Sequence, residues 1–204
     1  EVFNLAVVPL YWSDMEPEPG NPRFGKESRA IYRRPPVDQC LEFCEAAGIT
    51  SKGHPLVWHL FYPDWLPGDP ARLRALIERR IREIGERYGE RIRLWDVCNE
   101  ALACGHCQAI RQVGNHLDLA FELARKHLPA SSTFTYNETT HNSWGALRNE
   151  QTPLYMLLKD LQRRHKLDAV GLQYHLFCHK PEDVEDYRNH LLSPAHLYKV
   201  MDWY

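Results

Sequence analysis

The sequence predicts an α/β protein built on a parallel sheet, and three observations carry that prediction. Short apolar runs of strand length alternate with segments at helical spacing, about five such β-α units follow one another, and polar residues recur where the strands end. Parallel strands need crossover connections, and the helices in those crossovers cover the faces of the sheet. The pattern alone leaves a closed barrel and an open doubly wound sheet as alternatives. No linker or internal repeat interrupts it.

Phe3 to Val8 reads as the first strand, a Pro-rich loop runs through Pro36, and Val37 to Ala47 reads as a helix closed by Gly48, where a left-handed residue belongs. Thr50 to Trp58 is the second strand. Asp69-Pro70 supplies an N-cap and a first-turn proline, after which Leu73, Leu76, Ile77, Ile81, Ile84 and Tyr88 recur at helical spacing up to Gly89. Ile92 to Asn99 is the third strand, followed by a helix marked by Leu117, Ala120, Phe121, Ala124 and Leu128 that stops before Pro129. Thr133 to Asn137 is the fourth strand. Thr152-Pro153 then opens a helix with Leu154, Leu157, Leu158 and Leu161 inward, Ala169 to Tyr174 is the fifth strand, and a last helix begins near Pro194.

A chain of 204 residues that is 44% hydrophobic can bury a core, which excludes disorder. Its 25 Lys and Arg against 27 Asp and Glu leave a net charge of −2 with no basic run, so nucleic acid is not an expected partner. Nor is a membrane, because no stretch approaches the ~20 apolar residues of a spanning helix. Cys40 and Cys44 share a helix face with Val37 and Leu41 and read as buried thiols. Cys104-Gly105-His106-Cys107, with Cys98 before it and Cys178-His179 downstream, holds one Cys-x-x-Cys without a matching pair. A local disulfide or unspecialised thiols are expected there, with no metal and no cofactor.

The polar residues at the strand ends are the chemical signal. His59, Asn99-Glu100, Asn137-Glu138, and Gln173 with His175 each lie at or just past the C-terminal end of a predicted strand, the rim where parallel α/β proteins build their sites. They are interleaved with Trp58, Trp65, Trp95, Tyr136 and Trp144. Flat rings beside amides and carboxylates suit a sugar, whose apolar face stacks while its hydroxyls take directional hydrogen bonds.

On these residues the chain resembles glycoside hydrolase family 10, the retaining xylanases. Gly53-His54-Pro55-Leu56-Val57-Trp58-His59 is similar to the family's Gly-His-x-Leu-Val-Trp-His strand, and Pro63-Asp64-Trp65 to the Pro-x-Trp after it. Trp95-Asp96-Val97-Cys98-Asn99-Glu100 resembles Trp-Asp-Val-x-Asn-Glu, and Val170-Gly171-Leu172-Gln173-Tyr174-His175 resembles the Gly-x-Gln-x-His strand. Glu16-Pro17, Gly20 and Phe24 resemble the loop after the second barrel strand. The resemblance implies a (β/α)₈ barrel of which residues 1–204 are the central part, covering strands two to six. It implies an extracellular protein acting on β-1,4-xylan or a related wall polysaccharide. It makes Glu100 the general acid/base, Asn99 the partner of the sugar 2-hydroxyl and His59 a sugar contact at the cleavage point. Trp65 would lie near the sugar path, and Gln173 and His175 would contact sugar and nucleophile.

In such an enzyme one carboxylic acid protonates the leaving oxygen while a second carboxylate, ~5–5.5 Å away, attacks the anomeric carbon. Two departures from the family pattern bear on this expectation. The family's nucleophile, a glutamate on strand seven, has no counterpart after His175, so it is expected beyond Tyr204; within the chain Glu138 is the one carboxylate well placed at the rim, with a loop anchor as its other reading. The Val8 to Pro17 segment is shorter than the family's and lacks its Pro-Glu-Asn and Met-Lys-Trp pieces, so Tyr11 and Trp12 are expected to stack on sugar there. A non-catalytic sugar-binding or scaffold protein derived from such a barrel is the alternative.

Overall fold

A computed structural model describes residues 2–103, 110, 112–145, 150–175, 177–188 and 192–204. In chain order the elements are β1 (Leu5–Pro9), α1 (Trp12–Met15), α2 (Val37–Ala46), β2 (Thr50–His54), β3 (Val57–Trp58), α3 (Pro70–Tyr88), β4 (Leu94–Asn99), α4 (His116–His127) and β5 (Thr133–Glu138). A π-helical turn (His141–Gly145), α5 (Pro153–Arg163), β6 (Ala169–Leu172), α6 (Pro181–Asp186) and α7 (Pro194–Trp203) follow. Every strand pair is parallel, in the order β1-β2-β4-β5-β6, with β3 alongside β4. That order never reverses. A doubly wound sheet doubles back at a switch point, whereas a barrel adds each β-α unit beside the last, so the described strands form an arc of a barrel.

The helices form where the spacing places them. Asp69 accepts the Arg72 amide at 2.7 Å, Pro70 fills the first helical position, and Leu73, Ile77, Ile81, Ile84 and Tyr88 are buried along one face of α3. Gly48 ends α2 at φ 66°. Trp95, Val97, Phe134 and Tyr136 from β4 and β5, with Leu119, Phe121 and Leu123 from α4, continue the same core. Among the described residues no helix is long and apolar enough to cross a membrane.

Two differences from the sequence reading have local causes. The run from Thr50 to Trp58 is two strands, because Pro55 has no N–H to give the ladder and the Leu56 amide turns to Asp96 O at 2.9 Å. β6 stops at Leu172 because side chains take over its backbone: Trp144 Nε1 and Thr140 Oγ1 donate to Gln173 O at 2.5 and 3.2 Å, and Thr140 Oγ1 accepts the His175 amide at 2.8 Å. The register between β4 and β5 shifts between Asp96 and Cys98. That bulge matters for the site, since residues three apart on a regular strand face opposite sides.

Candidate active site

The C-terminal ends of the strands open into a cleft of about 990 Å³. Asp96 and Asn99 both line it, which the β4 bulge allows, together with Tyr11, Lys52, His54, Trp58, Glu100, Asn137, Gln173 and His175. Glu100 follows immediately after β4, with a left-handed backbone at φ 57°. Trp58 Nε1 donates to its Oε2 at 2.9 Å and Gln173 Nε2 to its Oε1 at 2.6 Å. The carboxylate is therefore oriented by residues from β3 and from the end of β6.

Beside it runs a chain of amides. Asn99, 1% exposed, accepts on Oδ1 from Asn137 Nδ2 at 2.6 Å and from Gln173 Nε2 at 3.2 Å. Asn99 Nδ2 is buried and, among the described residues, has no hydrogen-bond partner. An unpaired buried donor costs free energy unless something arrives to accept from it.

Beneath these groups lies a charged cluster. Asp96 accepts from Lys52 Nζ at 2.9 Å, pairs with His54 Nδ1 at 2.7 Å and takes the Thr135 hydroxyl. Burial alone would raise its carboxyl, but the His54 hydrogen bond and the Lys52 charge outweigh burial and hold it below the usual carboxylate range. The Asp96 hydrogen bond at Nδ1 fixes the His54 ring where it lines the cleft.

The sequence-predicted residues divide between cleft and scaffold. Glu100, Asn99, Gln173, His175 and Tyr11 line the cleft. Tyr11 stacks on Phe61 at 4.6 Å, lies 5.4 Å from the Trp58 ring, and has the Arg34 guanidinium 5.0 Å from its centroid; burial raises its hydroxyl. His59, Trp12 and Trp65 do not line it. Trp12 is buried and donates to Glu16 Oε2 at 3.0 Å, and Trp65 Nε1 donates to Glu16 O at 2.9 Å, so both hold the loop after β1. His59 packs edge-on against Trp58, with centroids 6.1 Å apart. His54 stands in the cleft in its place. Alternation could have found it, because His54 shares parity with Trp58 and His59 does not.

Glu138 does not line the cleft either and is wholly buried. Cys104 and Cys107 lie outside the described residues, and Cys40, Cys44, Cys98 and Cys178 form no disulfide among them. No cluster of three or more His, Cys, Asp or Glu side chains suited to a metal ion occurs among the described residues.

Known proteins are similar to this chain over most of its length. Endo-1,4-beta-xylanase A of Xylanibacter ruminicola is 33% identical over 165 residues, which is 75% of this chain and 43% of that protein. Endo-1,4-beta-xylanase B of Neocallimastix patriciarum is 31% identical over 162 residues, 74% of this chain and 18% of that protein. The chain thus spans less than half the length of either relative. The solved endo-1,4-beta-xylanase of Caldicellulosiruptor owensensis superposes with a TM-score of 0.69 at 21% identity, covering 99% of this chain and 59% of that one. The model of Glycosyl hydrolase family 10 matches residues 12–199. With its arc of parallel strands, its Asn99-Glu100 pair at the rim and that match, the chain belongs to glycosyl hydrolase family 10, a family of (β/α)₈ barrels.

Proposed function

We propose that residues 1–204 carry the acid/base half of a retaining endo-1,4-β-xylanase site, with Glu100 as the acid/base and the nucleophile supplied from sequence beyond Tyr204. The observation that carries this reading is Glu100 itself, held across the cleft by Trp58 and Gln173 next to the amide pair Asn99 and Asn137. Both oxygens are engaged, so the carboxyl that would pass a proton in each half of the reaction is aimed before substrate arrives. Donating a proton in the first half requires one of the two bonds to give way to the leaving oxygen. The lone Asn99 Nδ2 supplies the donor for a sugar hydroxyl, and Trp58 and Tyr11 offer ring surface. The relatives are xylanases, and a structural neighbour with a TM-score of 0.70 holds xylotriose, which supports β-1,4-xylan as the substrate class and an extracellular place of action.

The test is product analysis with the full-length protein. Wild type is expected to release short xylo-oligosaccharides with retained anomeric configuration, and Glu100→Gln to lower that release from unactivated xylan by roughly 10²–10⁴-fold. Full activity in the variant would overturn the assignment. Saturable xylan binding without any hydrolysis by wild type would favour the sugar-binding alternative.

A further inference from the structure

Glu138 closes β5 among the rim residues, yet it does not line the cleft and is 0% exposed. Four donors surround it. Oε2 accepts the Tyr136 hydroxyl and the Leu102 amide, the latter at 3.3 Å, while Oε1 accepts the Thr139 amide at 2.7 Å and Asn142 Nδ2 at 3.2 Å. Such a nest calls for a side chain that only accepts, which an ionised carboxylate does and an amide does not.

Leu102 lies two residues past Glu100, and Glu100 sits in the left-handed region, where a non-glycine residue stays only if its surroundings hold it. The turn is gripped from both ends. The Glu100 amide donates to Asn137 O at 2.8 Å, the Ala103 amide closes back on Glu100 O at 3.1 Å, and the Leu102 amide is taken by Glu138. We propose that Glu138 is a positioning residue for Glu100: by fastening the Leu102 amide it holds the left-handed turn that aims Glu100 at Trp58 and Gln173. This rests on Glu100 being the acid/base of the site and names the device that orients it. It also removes Glu138 from the role of second reacting carboxylate, since it does not line the cleft and both its oxygens are engaged by protein donors.

The Trp58 indole N–H, which donates to Glu100, reports the outcome without substrate or turnover, so a negative result here is separate from a failure to bind or cleave xylan. In ¹H–¹⁵N spectra the Trp58 indole resonance is assigned by its loss in Trp58→Phe, and Glu100→Ala gives its position without the carboxylate. Glu138→Gln is expected to carry it most of the way to the Glu100→Ala position, because an amide in this nest leaves the Leu102 or the Thr139 N–H facing an NH₂ group. Tyr136→Phe removes one donor but leaves Leu102 bonded, and is expected to leave the resonance in place. An unmoved resonance in Glu138→Gln, or an equal movement in Tyr136→Phe, would overturn the proposal. Should Glu138→Gln not fold, hydrogen exchange of the wild type decides: the Leu102 amide, in a residue 39% exposed, is expected to exchange at least ~10-fold slower than an open turn amide, and an unprotected rate counts against the proposal.

Discussion

Asp96 is a buried carboxylate kept charged by its neighbours, and its loss is expected to be felt in stability before chemistry. Lys52 and His54 face it from β2 and Thr135 from β5. Asp96→Asn leaves the half-buried Lys52 ammonium without its carboxylate and is expected to cost about 1–3 kcal/mol in urea unfolding at pH 7. Because the folded carboxyl is held below its unfolded value of about 3.9, its contribution is fully present above that pH and is lost as pH falls through the lower folded value. Unfolding measured from pH 7 to 3 should therefore show wild type losing stability below about pH 4 more steeply than Asp96→Asn; parallel acid slopes would contradict this. At the same scale, Asn99, Glu100 and Gln173 were legible as rim residues because each closes or directly follows a strand in a recognisable run. That Asp96 and Asn99 share the cleft was not, since it depends on a bulge no residue type announces. Arg80 was equally hidden. Written as half of an Arg79-Arg80 pair on a helix it reads as solvated, yet it is 5% exposed, donates to Leu10 O and Leu56 O, and burial lowers its guanidinium to about 10.

Elements are placed by side chains that leave no room between them, and β6 shows how closely this bears on the site. A Cβ added at Gly171 would overlap Asn137 Oδ1 and press on its Cγ at 3.0 Å. Asn137 is the residue that donates to Asn99, so the strand needs a glycine there for the amide chain to close. Gly171→Ala is expected to cost about 1–3 kcal/mol in stability from overpacking and, on the proposed function, to weaken xylo-oligosaccharide binding by up to roughly tenfold, since one misplaced hydrogen bond is worth about 0.5–1.5 kcal/mol. Calorimetric titration beside a thermal melt checks both, and unchanged binding would show that β6 can shift without disturbing the amides. The helices were legible because a 3.6-residue apolar stripe survives any tertiary context, as in α3 and α4. The strand break at Pro55-Leu56 carried its own marker, a proline, but the apolar run Leu56-Val57-Trp58 directly after it reads as a continuation of the same strand.

Whole-molecule architecture follows from what the sheet's two ends leave unpaired. Among the described residues β1 and β6 each have a strand on one side only. Alternating residues Phe3, Leu5 and Val7 are 77%, 46% and 53% exposed along β1 and just before it, and Val7 faces the cleft, so this apolar row lies on the barrel's inner side. At the other end Leu158, Val170, Leu172, Met201 and Trp203 surround a second hollow of about 460 Å³ against β6. Pattern alone left barrel and open sheet undecided because both bury parallel strands between helices; the difference lies in strand order, which no single segment encodes. Open edges and apolar faces of this kind pair with other chains. A polypeptide of residues 1–204 made alone is therefore expected to associate in the μM–mM range, with a sedimentation coefficient that rises with concentration, whereas a longer chain supplying the neighbouring strands should sediment as a monomer. Leu5→Lys places a charge on the exposed β1 edge and should shift the short polypeptide toward monomer. A polypeptide of residues 1–204 that stays monomeric throughout that range would mean its edges are already blunted by the charged and looped segments beside them.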